Sequence, residues 1–316
     1  MSRTPPPGGF NKPLGGNDSP RFAGPMTFMR LPAAPTAEGL DAAILGVPMD
    51  IGTSFRSGAR HGPQAVRAES RMIRPYNMAT GAAPFDRLQI ADLGDVATNP
   101  YDLKDSVRRI EAFHAEVRAA GAVPVSIGGD HTMTLPCLRA AAGRHGPVAM
   151  IHVDAHADVN EAMMGEAIAH GTPFRRAVEE GLLIQDRVWQ IGLRGSGYGP
   201  DDFGWCRDQG FHVVQAEDCW HRSLTPLMAE VRDSVGDAPV YLTFDIDSLD
   251  PAFAPGTGTQ EVGGLTSPQA LEIVRGCAGL ALIGCDLVEV APPWDTSGAT
   301  AMLGANLVYE MLCVLP

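Results

Sequence analysis

The sequence predicts an α/β fold with a parallel sheet covered on both faces. Three observations carry the prediction. Strand-like and helix-like segments alternate from about residue 40 onward, the pattern of parallel sheets with helical crossovers. The candidate strands are short apolar runs, as expected where both faces are buried. Three of them end in clusters of Asp and His, and open parallel sheets form their sites outside the carboxyl ends of the strands.

The elements follow in chain order. Residues 1–20 are rich in Pro, Gly and Asn and read as a mobile or surface-draped tail. They belong to an N-terminal extension of residues 1–35, with one domain over 36–316. Residues 41–47 and 88–93 read as strands. Leu103, Val107, Ile110 and Val117 stand near helical spacing, with Asp102 as N-cap and Gly121 closing the helix. A strand ends at Gly128, and another covers Val148–Ile151. Thr172-Pro173 has the form of an N-cap followed by Pro at the first helical position. Strands over 186–191 and 211–214, a helix from Leu224 to Val235, and a strand over 240–244 come next. Ser267-Pro268 opens a helix, 280–287 is a late buried strand, and Met302–Leu315 is an apolar closing helix. No G-x-G-x-x-G follows the first strand, and Gly256-Thr-Gly258-Thr lacks the Lys of a P-loop.

Composition narrows the function. The chain has 316 residues, 45% hydrophobic and 19% charged, with a formal net charge of -13. No dense run of Lys and Arg exists, which argues against a nucleic-acid partner. No apolar run approaches the roughly 20 residues that span a bilayer, so no membrane partner is expected and the expected location is the cytoplasm. The six cysteines (Cys137, Cys206, Cys219, Cys277, Cys285 and Cys313) form no C-x-x-C pair and read as reduced, buried thiols.

The strand-end clusters are the informative feature. His152-Val-Asp154-Ala-His156-Ala-Asp158 sets metal-capable side chains at alternate positions, which share one side of an extended backbone. Asp245-Ile-Asp247 and Gly128-Gly-Asp130-His131 follow two other apolar runs. Any one of these residues alone is more often structural. Together, Asp154, Asp158, Asp245, Asp247, His131 and His156 would crowd one sheet edge, and repulsion would raise the carboxylate pKa values unless cations offset it. Carboxylate-rich ligation without thiolate favours a hard or borderline ion such as manganese over structural zinc.

These motifs carry a resemblance. Ser126-Ile-Gly-Gly-Asp-His131, His152–Asp158, Thr243-Phe-Asp-Ile-Asp-Ser-Leu-Asp-Pro251, Ala254-Pro-Gly-Thr-Gly258 and Asp286-Leu-Val-Glu289 resemble those of the ureohydrolase (arginase/agmatinase) family over nearly the whole chain. The resemblance implies a three-layer α/β/α sandwich with a mainly parallel central sheet. It implies hydrolysis of a guanidinium to urea and an amine by a dimanganese-bound hydroxide. Two Mn(II) ions per subunit would be bridged by Asp154 and Asp245, one also bound by His131 and Asp158, the other by His156 and Asp247; nickel or cobalt suits overlapping ligands. His170 matches the family's proton-shuttling histidine, Glu289 the acid that pairs with the guanidinium, and Asn160 a position on the pocket loop. A homotrimer or homohexamer is implied as well.

Within the family, Pro13–Asn17, Ile73–Asp86 and Asp158–Met163 look most like the guanidinobutyrase branch, which makes urea and 4-aminobutyrate. Met163 falls where guanidino-acid enzymes shape the pocket, and reads equally as a core methionine. Arg71 and Arg74 are candidate donors to a substrate carboxylate. Glu161 and Glu166 would suit the amine of agmatine, so an agmatinase is the alternative, with guanidinopropionase as another guanidino-acid reading. Gln260 stands where relatives have Pro in the loop Gly256–Glu261. A catalytically silent relative and a one-zinc, deacetylase-like hydrolase are the readings from other classes.

Overall fold

Runs such as Ala42–Gly46 and Val148–Val153 contain no Asp, Glu, Lys or Arg and are buried along their whole length, which requires cover on both faces of the sheet. A computed structural model, describing residue 6 and residues 8–316, shows how that cover is built. Eight strands form one sheet: β1 (Ala42–Gly46), β2 (Ile90–Asp95), β3 (Val123–Ile127), β4 (Val148–Val153), β5 (Leu183–Leu193), β6 (His212–Gln215), β7 (Pro239–Asp245) and β8 (Ala281–Val288). Their order is β2-β1-β3-β8-β7-β4-β5-β6, and every pairing is parallel.

The helices are α1 (Gly62–Glu69), α2 (Leu103–Ala119), α3 (Thr134–His145), α4 (Pro173–Glu179), α5 (Gly204–Asp208), α6 (Ala216–Cys219), α7 (Thr225–Val235), α8 (Ser267–Gly276) and α9 (Ala299–Val314). Alternation along the strands sends their side chains to two cores. Ala43, Leu45, Met150, Val188 and Tyr241 pack with α2, α3, α4 and α5 through Ile110, Leu138, Phe174 and Cys206. Ile44, Ile151, Leu242 and Leu287 pack with α1, α7, α8 and α9 through Val66, Val231, Ile273 and Leu307. The result is the expected three-layer α/β/α sandwich.

Local signals set the helix ends. Asp102 accepts the Asp105 N–H and caps α2 as expected. The cap of α8 is Thr266, one residue earlier than Ser267-Pro268 indicated, in a reciprocal capping box with Gln269. Thr172 occupies the cap position of α4, but its hydroxyl donates to Ala169 O and accepts Ala169 N–H instead of holding the helix. Helices α1, α3, α5 and α6 have no counterpart in the sequence reading. In α3 the first-turn Pro136 and the small residues Ala140–Gly143 weaken the apolar period.

The described part of the N-terminal segment is pinned to the sheet edge. Asn11 bonds Gln89 and Ile90, and Ala33 pairs with Asp92 of the edge strand β2. Buried Arg30 donates to the carbonyls of Leu14, Ser19, Pro20 and Ala23. The tail expected over residues 1–20 falls partly on residues 1–5 and 7, which lie outside the described residues. All six cysteines are free and buried. No helix among the described residues is long and apolar enough to cross a membrane.

Candidate metal centre

Strand order brings distant segments together. β3, β8, β7 and β4 are consecutive neighbours, and at or just beyond their carboxyl ends lie His131, Glu289, Asp245 and Asp154. The turn after β3 can pass so close because Gly129 has no side chain; a Cβ there would strike the Met49 carbonyl.

The structure draws His131, Asp154, Asp158 and Asp245 into one group. His131 Nδ1 lies 3.0 Å from Asp154 Oδ2, 3.0 Å from Asp158 Oδ2 and 3.3 Å from Asp245 Oδ2. A second group adjoins it: His156 Nδ1 is 3.2 Å from Asp247 Oδ2 and 3.5 Å from Asp154 Oδ1. Asp154 belongs to both. One oxygen of Asp154 and one of Asp245 are fixed by backbone, with His156 N–H on Asp154 Oδ1 at 2.7 Å and Asp247 N–H on Asp245 Oδ1 at 2.8 Å. All are buried except His156, whose side chain is 34% exposed.

Two residues behind the cluster settle the tautomer of His131. Its Nε2 lies 2.9 Å from Thr243 Oγ1, and that hydroxyl donates its only proton to Asp286 Oδ1 at 2.6 Å. Nε2 must therefore carry the ring proton. Nδ1, buried and with no hydrogen-bond partner among the described residues, then turns a lone pair toward three carboxylates. Lone pairs facing carboxylate oxygens repel unless a positive charge sits among them. Asp286 also accepts from Thr134 at 3.0 Å and Tyr241 at 2.8 Å. A similar relay serves Asp154: Gln190 donates to His152 Nδ1 at 3.0 Å, so His152 Nε2–H donates to Asp154 Oδ2 at 2.7 Å.

The carboxylates draw positive charge toward both imidazoles. Against the cost of burial, Asp154, Asp158 and Asp245 lift His131 well above its ordinary pKa, and Asp247 and Asp154 do the same for His156. Burial, Asp247 and Asp154 push Asp245 well up; burial, opposed by His156, raises Asp247. Against burial, His152 and His131 hold Asp154 well below the usual range. So much negative charge in a dry site demands counter-charge. An oxygen-rich donor set with two imidazoles, and the orphaned Nδ1 of His131, fit a pair of divalent cations.

His170 and Glu289 stand beside the cluster. Ser54 N–H points at His170 Nε2 at 3.1 Å, which leaves Nδ1–H to donate to Glu289 Oε1 at 3.2 Å. Burial would lower the His170 pKa; the bond to Glu289 and its charge outweigh that and raise it to about 9. Glu289 is only 2% exposed, and its Oε1 also accepts the His131 N–H at 3.0 Å. It lies behind His170 and does not line the cavity that reaches the cluster. Asp130 accepts Gly52 N–H and thereby holds the loop that carries Ser54; burial and the charge of Glu289 lift its pKa to about 6.

That cavity, of about 680 Å³, is lined by Ser54, His156, Asp158, His170 and Asp245, with Asn160 and Met163 on its wall. Asn160 anchors the wall by two bonds to Gly171 O, and the Met163 sulfur lies against Gly171. Glu161 lines the cavity and Glu166 does not. Arg71 and Arg74 are also outside it; Arg71 contacts Met26 at the N-terminal segment. The arginines that do line it are Arg175, Arg194 and Arg207. Arg194 donates to the carbonyls of Gly192, Asp247, Ser248, Leu249, Glu261 and Val262, tying the turn after β7 to β5 and to the 256–262 loop. In that loop Thr259 donates to Asp247 Oδ2 at 3.1 Å, and the Gln260 amide donates to Pro255 O across the base.

Sequence reading named the six clustered residues, His170 and Glu289, but gave no role to His152, Ser54, Thr243, Asp286 or Arg194. Only His152 had a usable signal, since it shares the alternating side of Asp154.

The Arginase family model matches residues 40–313. The chain belongs to the arginase family. A guanidinobutyrase from Pseudomonas aeruginosa is 65% identical over 97% of both chains. A mitochondrial agmatinase from Gallus gallus is 60% identical over 97% of this chain and 90% of its own. Among solved structures, the proclavaminate amidino hydrolase from Streptomyces clavuligerus superposes with a TM-score of 0.88 at 40% identity, covering 94% of this chain and all of that one. This arginase-family protein is thus a hydrolase of the amidinohydrolase type, as its motifs implied.

Proposed function

We propose that this arginase-family enzyme hydrolyses 4-guanidinobutyrate to urea and 4-aminobutyrate with two manganese ions. The observation that carries the reading is the convergence of His131 Nδ1 with Asp154, Asp158 and Asp245 at 3.0–3.3 Å. His131, Asp154, Asp158 and Asp245 would hold one ion, and Asp154, His156, Asp245 and Asp247 the other. Such a pair makes water nucleophilic near neutral pH and offsets negative charge as it develops.

The protein's own groups do the rest. His170, whose pKa is raised against burial by the Glu289 carboxylate, is the group placed to give a proton to the departing amine. In the protonated ring Nε2–H faces the Ser54 hydroxyl at 2.7 Å and Nδ1–H the Glu289 carboxylate at 3.2 Å. In line with the family resemblance, Glu289 would pair with the substrate guanidinium, whose paired N–H groups suit a carboxylate. Asn160 and Met163 shape the wall along the substrate chain.

The 65% identity to a guanidinobutyrase supports the substrate. Agmatine is the second reading, favoured by Glu161 on the cavity wall and by the relative named agmatinase. Urea release by manganese-loaded protein over a panel of guanidinobutyrate, guanidinopropionate, guanidinoacetate, agmatine and arginine tests the proposal. Highest kcat/KM on guanidinobutyrate supports it; preference for agmatine moves the assignment to the second reading, and no urea from any of them rejects the reaction. The working form we infer is a cytoplasmic homo-oligomer, a homotrimer or homohexamer, in line with the family resemblance.

A further inference from the structure

The charged groups of the cavity wall differ in how far they are engaged. Arg194 has its guanidinium fully taken up by backbone carbonyls. The Asp202 carboxylate accepts the N–H groups of Tyr198 and Gly199 at 2.6 and 2.8 Å. Asp158 and Asp245 belong to the metal cluster. Arg175, Arg207 and the exposed Glu161 are left.

Arg175 is the organised one of the three. Its guanidinium carbon sits 5.0 Å from the centroid of the Trp205 ring, and its Nε bonds Glu179 at 3.2 Å. That oxygen of Glu179 is shared with Arg176, which bonds it more closely at 2.8 Å. The two terminal NH2 groups of Arg175 have no acceptor among the described residues. The side chain is 25% exposed, against the open position of Arg207. Stacking on an aromatic face fixes the plane of the guanidinium and leaves its fork free for a planar anion.

The geometry points to Arg175 as the receptor for the carboxylate tail of the substrate, and so as the residue that selects a guanidino acid over agmatine. The inference rests on the proposed function and adds what that reading lacks, a partner for the end of the substrate remote from the cluster. A bidentate carboxylate bond at a partly buried site is strong enough to dominate selectivity, whereas the exposed Arg207 is screened by solvent.

The test is steady-state kinetics of the manganese-loaded enzyme on 4-guanidinobutyrate and agmatine, for wild type, Arg175→Gln, Arg175→Lys and Arg207→Gln. For Arg175→Gln we expect KM for guanidinobutyrate to rise roughly 10- to 100-fold with kcat within about threefold, as for loss of a charge-assisted bond made equally in ground and transition states. Agmatine turnover should hold or improve. Arg175→Lys should recover part of the loss, and Arg207→Gln should change KM less than about twofold. An unchanged KM in Arg175→Gln, an equal loss on both substrates, or the effect appearing in Arg207→Gln overturns the assignment of Arg175 while the wild type remains a guanidino-acid hydrolase. A wild type inert on every guanidino acid removes the proposed function and this inference together.

Discussion

Thr243→Val tests whether the residues behind the cluster prepare it for metal. The substitution keeps the shape of a fully buried side chain and deletes the hydroxyl that links His131 Nε2 to Asp286. Leaving the His131 N–H unpartnered in a dry site costs about 1–3 kcal/mol. Loss of the 2.6 Å bond to Asp286 adds to this, though Asp286 keeps Thr134 and Tyr241 as donors. A total near 3 kcal/mol would lower the melting temperature of the metal-free protein by roughly 6 °C, taking about 2 °C per kcal/mol for a large domain. The sharper consequence concerns the ring itself. Without Thr243 the proton is no longer held on Nε2, and manganese affinity should fall about 10- to 100-fold, the usual penalty for losing such a support. Tyr241→Phe is the control, since it removes another donor from the same carboxylate without touching His131. It should lose stability and keep metal affinity. Calorimetric titration of chelator-stripped protein reads both. Manganese binding within twofold of wild type in Thr243→Val, or an equal loss in the two variants, would refute the relay.

Asp154→Ala or Asp245→Ala should remove nearly all urea release, because each acid is proposed to serve both ions; turnover within tenfold of wild type contradicts the ligand assignment. Glu289→Gln removes the main group that raises His170. Because the His170 pKa of about 9 in the fold exceeds the ordinary 6.5, its stabilisation is complete below about pH 6.5 and is lost as pH rises through about 9. The deficit of Glu289→Gln relative to wild type should therefore be about 2 kcal/mol larger near pH 7 than near pH 9.5. Urea unfolding of chelated protein measures it, and a deficit independent of pH rules out the pairing. Met163→Ala should broaden the accepted chain lengths by more than it lowers kcat on the best substrate; an unaltered ranking across the guanidino panel would return Met163 to a plain packing role.

Much of this architecture could be read from the sequence because its signals are local. The Asp and His residues of His152–Asp158 do reach one cluster, though not by the alternation expected, since β4 ends at Val153 and Asp158 takes a left-handed backbone. Asp102 marks the start of α2 by itself. What could not be read depends on neighbours far away in sequence. The order β3-β8-β7-β4 decides that His131 meets Asp245 and that Asp286 lies behind Thr243, and no periodicity encodes strand order. Ser54 sits 116 positions from His170, on a loop without a repeating pattern. Arg71 and Arg74, candidate donors against the commoner reading as solvated arginines, lie outside the cavity: Arg71 meets the N-terminal segment, while the cavity wall is drawn from α4 and the residues after β5. Thr172 shows a subtler limit. Its place before Pro173 was read correctly, but a hydroxyl has several acceptors in reach, and Ala169 won.

Backbone strain marks the same site independently of charge. Asp158 and Glu289 both adopt left-handed backbones, with φ of 53° and 63°, a conformation that costs a non-glycine residue about 1–3 kcal/mol. Glycine at either position would relieve it. Neither position can be glycine if its carboxylate is needed where it is, 3.0 Å from His131 Nδ1 for Asp158 and 3.2 Å from His170 Nδ1 for Glu289. The surroundings hold both in place: the Phe174 N–H bonds Asp158 O, and the Glu289 N–H bonds Gly129 O. At Glu289 the turn lets the side chain reach across to the β3 loop, where the His131 N–H meets it. Replacing Glu289 with Gly should thus relax the backbone while leaving His131 N–H and His170 Nδ1 without their acceptor. Strain persists here because the side chain that requires the turn also supplies the bonds that stabilise it.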